Sequence, residues 1–288
     1  METIDLLKKV RKIEIKTRRL SNNIFGGEYH SAFKGRGMTF SEVRNYQFGD
    51  DIRTIDWNVT ARYNEPFVKV FEEERELTLM LMVDVSSSAL FGTKNSLKKN
   101  IITEISATLA FSALQNNDKV GMIMFTDQVE LFIPPSKGKT HVLRIIRELI
   151  EFKPKSKHTD IKIPFEFLTQ VLKKKSIAFI LSDFISPTFE KTLKIASKKH
   201  DLTGIKVYDI FEEKIPNLGL VRMQDQETGQ LKLVDTSSKK IRDNYRKEML
   251  FKFKSFNEIF TKNGAGTILC RTDESYIKKL LNYFKNRA

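Results

Sequence analysis

The chain has 288 residues, 40% of them hydrophobic, and a formal net charge of +14 from 50 lysines and arginines against 36 aspartates and glutamates. That suits one large α/β domain or one with an added segment, and the single cysteine, Cys270, excludes an internal disulfide. The first ten residues lack the apolar stretch of a secretory signal, and no apolar run approaches the ~20 residues of a membrane span, so a soluble, cytoplasmic protein is expected. The positive charge favours acidic partners, nucleic acid or anionic lipid.

In chain order, residues 3–20 read as an amphipathic helix, with Leu6, Val10, Ile13 and Thr17 at helical spacing. Gly26, Gly27, Gly35 and Gly37 punctuate an irregular segment, and 38–75 is polar and charge-dense, with a turn at Gly49-Asp50-Asp51. Residues 77–83 are continuously apolar up to Asp84, the texture of a strand buried on both faces. A helix follows over 96–115, with Ile102, Ile105, Leu109 and Ala113 on one face. The spacing then predicts strands at 120–125 and 129–133, helices at 142–150 and 164–172, a strand at 177–181 ending in Ser182-Asp183, a helix at 188–198 and a strand at 203–208. Residues 218–223 and 230–234 flank Glu227-Thr228-Gly229 as a hairpin. A basic helix over 237–261, a strand at 266–270 and a helix at 275–285 complete the chain. Strands alternating with helices imply an open, mostly parallel sheet with helices on both faces, whose ligands bind beyond the carboxyl ends of the strands.

Several side chains carry structural expectations. Lys98-Lys99, Lys173-Lys174-Lys175 and Lys198-Lys199 read as solvated helix faces, and Cys270 as a small buried hydrophobe. Trp57 reads as a core anchor. Arg36, Arg44, Arg53 and Arg62 alternate with Glu42, Asp50, Asp51 and Asp56, a set suited to ion pairs that hold an irregular segment against the sheet.

The chemistry concentrates after apolar strands. Asp84-Val85-Ser86-Ser87-Ser88 ends the first strand of the main sheet, Thr159-Asp160 precedes a helix, and Ser182-Asp183 ends a later strand. Asp-x-Ser-x-Ser alone is no more than a polar strand-to-helix turn. The ordered trio, with a threonine and a strand-end aspartate, points to a metal. Carboxylate and hydroxyl oxygens suit a hard cation, Mg2+ first, with Mn2+ or Ca2+ possible, and the lack of histidine and cysteine in the set argues against zinc. Neutral hydroxyls leave the ion under-neutralised and attractive to an external carboxylate.

Asp84, Ser86, Ser88, Thr159 and Asp183 resemble the metal-ion-dependent adhesion site of von Willebrand factor A domains, and the run from Asp118 through Asp127 is similar to that family's second strand. One departure is Phe184, where glycine is frequent. The words Gly35-Arg36-Gly37-Met38-Thr39-Phe40, Val43-Arg44-Asn45-Tyr46, the run Gly49 through Trp57, Ala61-Arg62 and residues 68–76 narrow the match. With them the chain resembles the bacterial family "domain of unknown function 58". The resemblance implies a von Willebrand factor A-like (Rossmann-like) α/β fold. It divides the chain into an N-terminal family-specific segment over 1–75, packed on the main domain, and a von Willebrand factor A-like domain over 76–288 with a hairpin insertion near 217–235. It also implies a MoxR-type AAA+ ATPase partner, in chaperone-like assembly or activation of a client, and it supplies no catalytic residues.

The expected function is therefore a non-enzymatic, metal-dependent protein-binding adaptor whose partner supplies an aspartate or glutamate. Two alternative functions fit the residues less well. A magnesium-dependent phosphatase or hydrolase lacks its Asp-x-Asp pair, because Ser86 stands at the second position, and lacks a Gly-x-Ser-x-Gly elbow. His30, His141, His158 and His200 are scattered, with only His158 adjoining a proposed ligand. A basic nucleic-acid-binding protein lacks a binding module, and Phe251 and Phe253 are expected to face the sheet rather than bases. No phosphate-binding loop accompanies any of these features, so ATP use is expected of a partner.

Overall fold

A computed structural model describes residues 10–15, 17, 38–73, 77–90, 97–186, 188–224 and 230–287. The glycines at 26, 27, 35 and 37, Arg36, His30, the hairpin tip Glu227-Thr228-Gly229 and most of the predicted 3–20 helix lie outside the described residues. Within that helix, residues 10–15 are helical, Val10 and Ile13 pack against the core, and the buried Thr17 hydroxyl donates to the Ile13 carbonyl at 2.7 Å.

The 38–73 segment is ordered, not irregular. Strands β1 (Met38–Asn45) and β2 (Phe67–Glu73) pair antiparallel around a 3-10 turn (Ile52–Thr54) and a short helix α1 (Trp57–Tyr63). The acidic residues act mainly as caps. Asp51 accepts from the Arg53 N–H, and Asp56 accepts from the Asn58 and Val59 N–H groups at the start of α1. Arg44 pairs bidentately with Asp50, 2.7 Å for each bond, whereas Arg53 and Arg62 meet no carboxylate among the described residues. Trp57 is not a core anchor: it is 67% exposed, and Phe48, Ile52 and Tyr63 are exposed with it. Two strands and one short helix offer too few layers to enclose an indole.

The main sheet has six strands: β3 (Thr78–Asp84), β4 (Lys119–Phe125), β5 (Val129–Ser136), β6 (Ile177–Ser182), β7 (Asp201–Tyr208) and β10 (Gly266–Arg271). Their order is β10-β7-β6-β3-β4-β5, parallel except for the antiparallel edge strand β5. Along β3, Leu79, Leu81 and Val83 enter one core cluster while Met80 and Met82 enter the other. This alternation is the strand's period of two with both faces buried. The first cluster is closed by α2 (Lys98–Gln115), α3 (Lys139–Glu151) and α8 (Tyr276–Arg287). The second is closed by α4 (Lys162–Val171), α5 (Glu190–Lys199) and α7 (Lys239–Lys262). This is the open, mostly parallel α/β sheet with helices on both faces that a von Willebrand factor A-like domain calls for. A four-residue helix α6 (Ile210–Glu213) follows β7, and β8 (Leu220–Gln224) pairs antiparallel with β9 (Leu231–Asp235) as the expected hairpin ribbon.

Two helical side chains depart from expectation. Lys98 is 1% exposed instead of solvated. Phe253 packs on Tyr208 with ring centroids 4.7 Å apart, but Phe251, two residues away on the same helix, is exposed. Cys270 is buried as expected, and burial pushes its thiol up to about 12. No helix among the described residues is long and apolar enough to cross a membrane.

Candidate functional site

The chain leaves β3 for β4 and β5 on one side, then returns to β6 on the other side of β3. Strand order thus reverses between β3 and β6, the place where open α/β sheets form a ligand crevice. Val83 pairs with Leu181 there. Asp84 and the Ser182-Asp183 pair consequently emerge side by side, although they stand about a hundred residues apart in sequence.

The turn after β3 is built by its own side chains. The Ser86 N–H donates to Asp84 Oδ1 at 3.0 Å, and Ser86 Oγ lies 3.1 Å from Ser88 Oγ. Ser182 Oγ donates to Asp84 Oδ2 at 2.6 Å and accepts from the Phe184 N–H at 3.0 Å, which bridges the two strand ends. The Ser88 hydroxyl helps to lower the Asp183 carboxyl. Asp84, Ser86 and Ser88 are thus linked by hydrogen bonds, and Ser182 brings Asp183 beside them, with Asp84, Ser86 and Asp183 buried.

Thr159 sits on the segment between α3 and α4, which hydrogen bonds tie to every neighbouring strand end. The Ser87 N–H and Oγ donate to the Lys157 carbonyl at 3.3 and 3.0 Å, the Asp160 N–H donates to Thr126 just after β4, and the Ile161 N–H donates to Ser186 Oγ three residues after Asp183. Glu130 anchors the start of this segment by accepting the Lys155 and Ser156 N–H groups at 3.1 Å each. Burial raises the Glu130 pKa, but these bonds and the one from Thr126 outweigh it and hold the carboxyl below its ordinary value. Thr159 itself is 6% exposed, and its Oγ1 has no hydrogen-bond partner among the described residues. A buried hydroxyl without a partner costs about 1–3 kcal/mol, and a bound cation with its waters would satisfy it. The residues present therefore fit a hard metal ion: every donor is oxygen, and one of them is unsatisfied.

Electrostatics separate the two carboxylates. Burial and the neighbouring Asp183 push the Asp84 carboxyl up to about 6, against the hydrogen bonds from Ser182 and Ser86. Burial acts on Asp183 in the same sense, but Lys98 and Lys206 outweigh it and hold Asp183 below the usual carboxylate range. Lys98 Nζ lies 3.0 Å from Asp183 Oδ2 and 2.6 Å from Glu212 Oε1, and Lys206 Nζ donates to the Asp183 carbonyl. Burial disfavours the Lys98 ammonium, yet Asp183 and Glu212 together keep it charged, above its ordinary value. Lys206 has less compensation, and burial brings it down to about 8.

Sequence reasoning missed Lys98, Lys206 and Glu212. A signal for Lys98 exists, since it falls in register with Ile102, Ile105 and Leu109 on the apolar stripe of α2, in a first turn where the helix dipole disfavours a cation. Lys206 lies inside a strand otherwise buried on both faces.

A family model described as "Protein of unknown function DUF58" matches residues 42–252. The chain belongs to the DUF58 family. This DUF58 chain is 25% identical over 281 residues to the uncharacterized protein Rv1480 of Mycobacterium tuberculosis, covering 96% of this chain and 88% of that one. It is 29% identical over 109 residues to the uncharacterized protein YeaD of Bacillus subtilis, covering 38% and 25% of the two chains. Among solved structures it is similar to BatB, a conserved hypothetical protein from Bacteroides thetaiotaomicron, at 16% identity and a TM-score of 0.48 over 73% of this chain and 98% of that one. It is also similar to the SpRpn10 VWA domain, at 8% identity and a TM-score of 0.40 over 72% and 94%. Likenesses of this degree assign no activity to the DUF58 chain.

Proposed function

We propose that this DUF58 protein is a non-enzymatic, metal-dependent adaptor of the cytoplasm. Asp84, Ser86, Ser88, Thr159 and Asp183 hold a divalent cation, Mg2+ in preference to Mn2+ or Ca2+. An aspartate or glutamate of a protein partner completes its coordination. The MoxR-type AAA+ ATPase implied by the family resemblance is the partner we favour, with the adaptor serving chaperone-like assembly or activation of a client.

The observation that carries this reading is the buried hydroxyl of Thr159, without a hydrogen-bond partner among the described residues, on a segment tied to the ends of β3, β4 and β6. Charge supports it further. Lys98 already offsets Asp183, so a divalent ion facing Asp84 and neutral hydroxyls would keep a positive charge for an incoming carboxylate. Among the described histidines, His158 is exposed, His141 bonds the Val120 carbonyl, and His200 bonds Ser176 away from the crevice.

The test is a Mg2+ titration followed by thermal unfolding, together with capture of the ATPase from a native lysate with and without EDTA. Asp84→Ala should abolish both the Mg2+-dependent rise in Tm and the EDTA-sensitive capture while leaving the far-ultraviolet dichroism unchanged. Capture that survives both EDTA and the substitution would falsify the metal-dependent reading.

A further inference from the structure

A cavity of about 190 Å3 opens beside the strand ends and shares Asp84 and Ser86 with the candidate metal site. Its remaining wall is largely apolar, made by Val85 of the β3 turn, Ile102 of α2, Leu149 of α3, and Phe152 and Pro154 beyond α3. The polar groups around it are already engaged. The Thr103 hydroxyl donates to the Lys99 carbonyl of its own helix at 2.8 Å, Lys99 Nζ donates to the Phe152 carbonyl at 3.3 Å, and both Asp84 oxygens accept the bonds described above. Water in this cavity would face walls that offer it few bonds, whereas one branched aliphatic side chain would fit within it and gain by leaving water.

The approach to the cavity is basic. Lys153, Lys155 and Lys157 alternate along the segment from the cavity wall to Thr159; all three are exposed, and none pairs with a carboxylate among the described residues. Exposed cations beside an apolar cavity and an oxygen-lined metal site fit an acidic strand of chain carrying one aliphatic residue.

We propose that this cavity is an anchor pocket for the partner. A leucine, isoleucine or valine next to the partner's metal-completing acid enters it, and flanking acidic residues meet Lys153, Lys155 and Lys157. This rests on the metal-dependent reading and specifies the recognised segment: acidic, extended, with an aliphatic side chain adjoining the aspartate or glutamate.

The experiment is methyl NMR on the full chain in Mg2+, titrated with a capped hexapeptide in which leucine adjoins aspartate between glutamates. Shifts are expected at the methyls of Ile102, Leu149 and Val85. Replacing the peptide leucine by serine should weaken binding about tenfold, the scale of burying one such side chain. Lys153→Glu with Lys155→Glu should weaken it several-fold and reduce its salt dependence. Thr103→Leu should narrow the cavity and weaken binding of the leucine peptide; if that variant does not fold, the leucine-to-serine comparison on the unaltered protein decides. Equal binding of the serine peptide, or no binding of any peptide at millimolar concentration, overturns the pocket. Replacing the peptide aspartate by asparagine tests the other reading separately. A leucine-dependent interaction indifferent to that change and to EDTA leaves the pocket standing and removes the metal.

Discussion

Thr159 and Lys98 show how single residues bear on this site. If the Thr159 hydroxyl is kept for a cation, Thr159→Val removes an unsatisfied group without changing shape. In EDTA the variant should be as stable as the parent or about 1 kcal/mol more stable, while the Mg2+-dependent rise in Tm is lost. A variant less stable in EDTA would mean that the hydroxyl already has a structural bond. Lys98 predicts the opposite behaviour, because its ammonium is paired twice in the interior. Lys98→Met leaves Lys206 as the remaining cation near Asp183 and Glu212 and should cost about 3–5 kcal/mol in urea unfolding. Adding Glu212→Gln should recover a good part of that loss.

At the level of elements, the turn after β6 and the packing of α7 are the informative features. Phe184 follows the candidate ligand Asp183 with φ +54°, in the left-handed region where a side chain costs about 1–2 kcal/mol. That conformation explains why glycine is frequent there in the resembling family. Here the ring is held by Phe256 at 4.5 Å and Phe260 at 5.4 Å, both on α7. Phe184→Gly would relieve the backbone but forfeit an aromatic anchor worth about 3–5 kcal/mol, so a net loss of roughly 1–4 kcal/mol is expected by denaturant unfolding. Gly204 in β7 records the same close approach from the sheet side, since a Cβ there would lie 2.6 Å from the Phe260 ring. Gly204→Ala should push α7 outward and cost about 1–3 kcal/mol, measurable as a lower Tm. The elements themselves were legible: the unbroken apolar run of β3 and the spacing of Ile102, Ile105 and Leu109 on α2 are written in the residues. The exposed Trp57 was not, because whether an indole is covered depends on how many layers the 38–73 unit can bring to it, and local pattern does not encode that number.

For the molecule as a whole, His200 gives a stability signature that does not involve the site. It is 1% exposed between α5 and β7, bonded to Ser176 through Nδ1 at 2.9 Å, and burial lowers its pKa to about 4, helped by Lys199. The unfolded chain titrates near its ordinary value of 6.5, so between pH 6.5 and 4 the unfolded state binds a proton that the folded state refuses. Stability should therefore fall as pH drops through that window, with a contribution approaching about 1.4 kcal/mol per pH unit from this one group. His200→Gln should remove that component from Tm measured between pH 4 and 7, and an unchanged slope would assign it elsewhere.

The residues alone determined the alternation of strands and helices, the core faces, and the three polar stretches that follow apolar strands. These are local periodicities, and burial imprints them directly on neighbouring positions. Only the tertiary structure decided that Asp84 and Asp183 share one crevice, that Ser182 links them, and that Lys98 is a buried counter-charge instead of a solvated one. Lys98 pairs with groups 85 and 114 residues further along the chain. Whether a lysine can leave water depends on whether such distant carboxylates arrive beside it, a matter of strand order rather than of any short stretch of sequence.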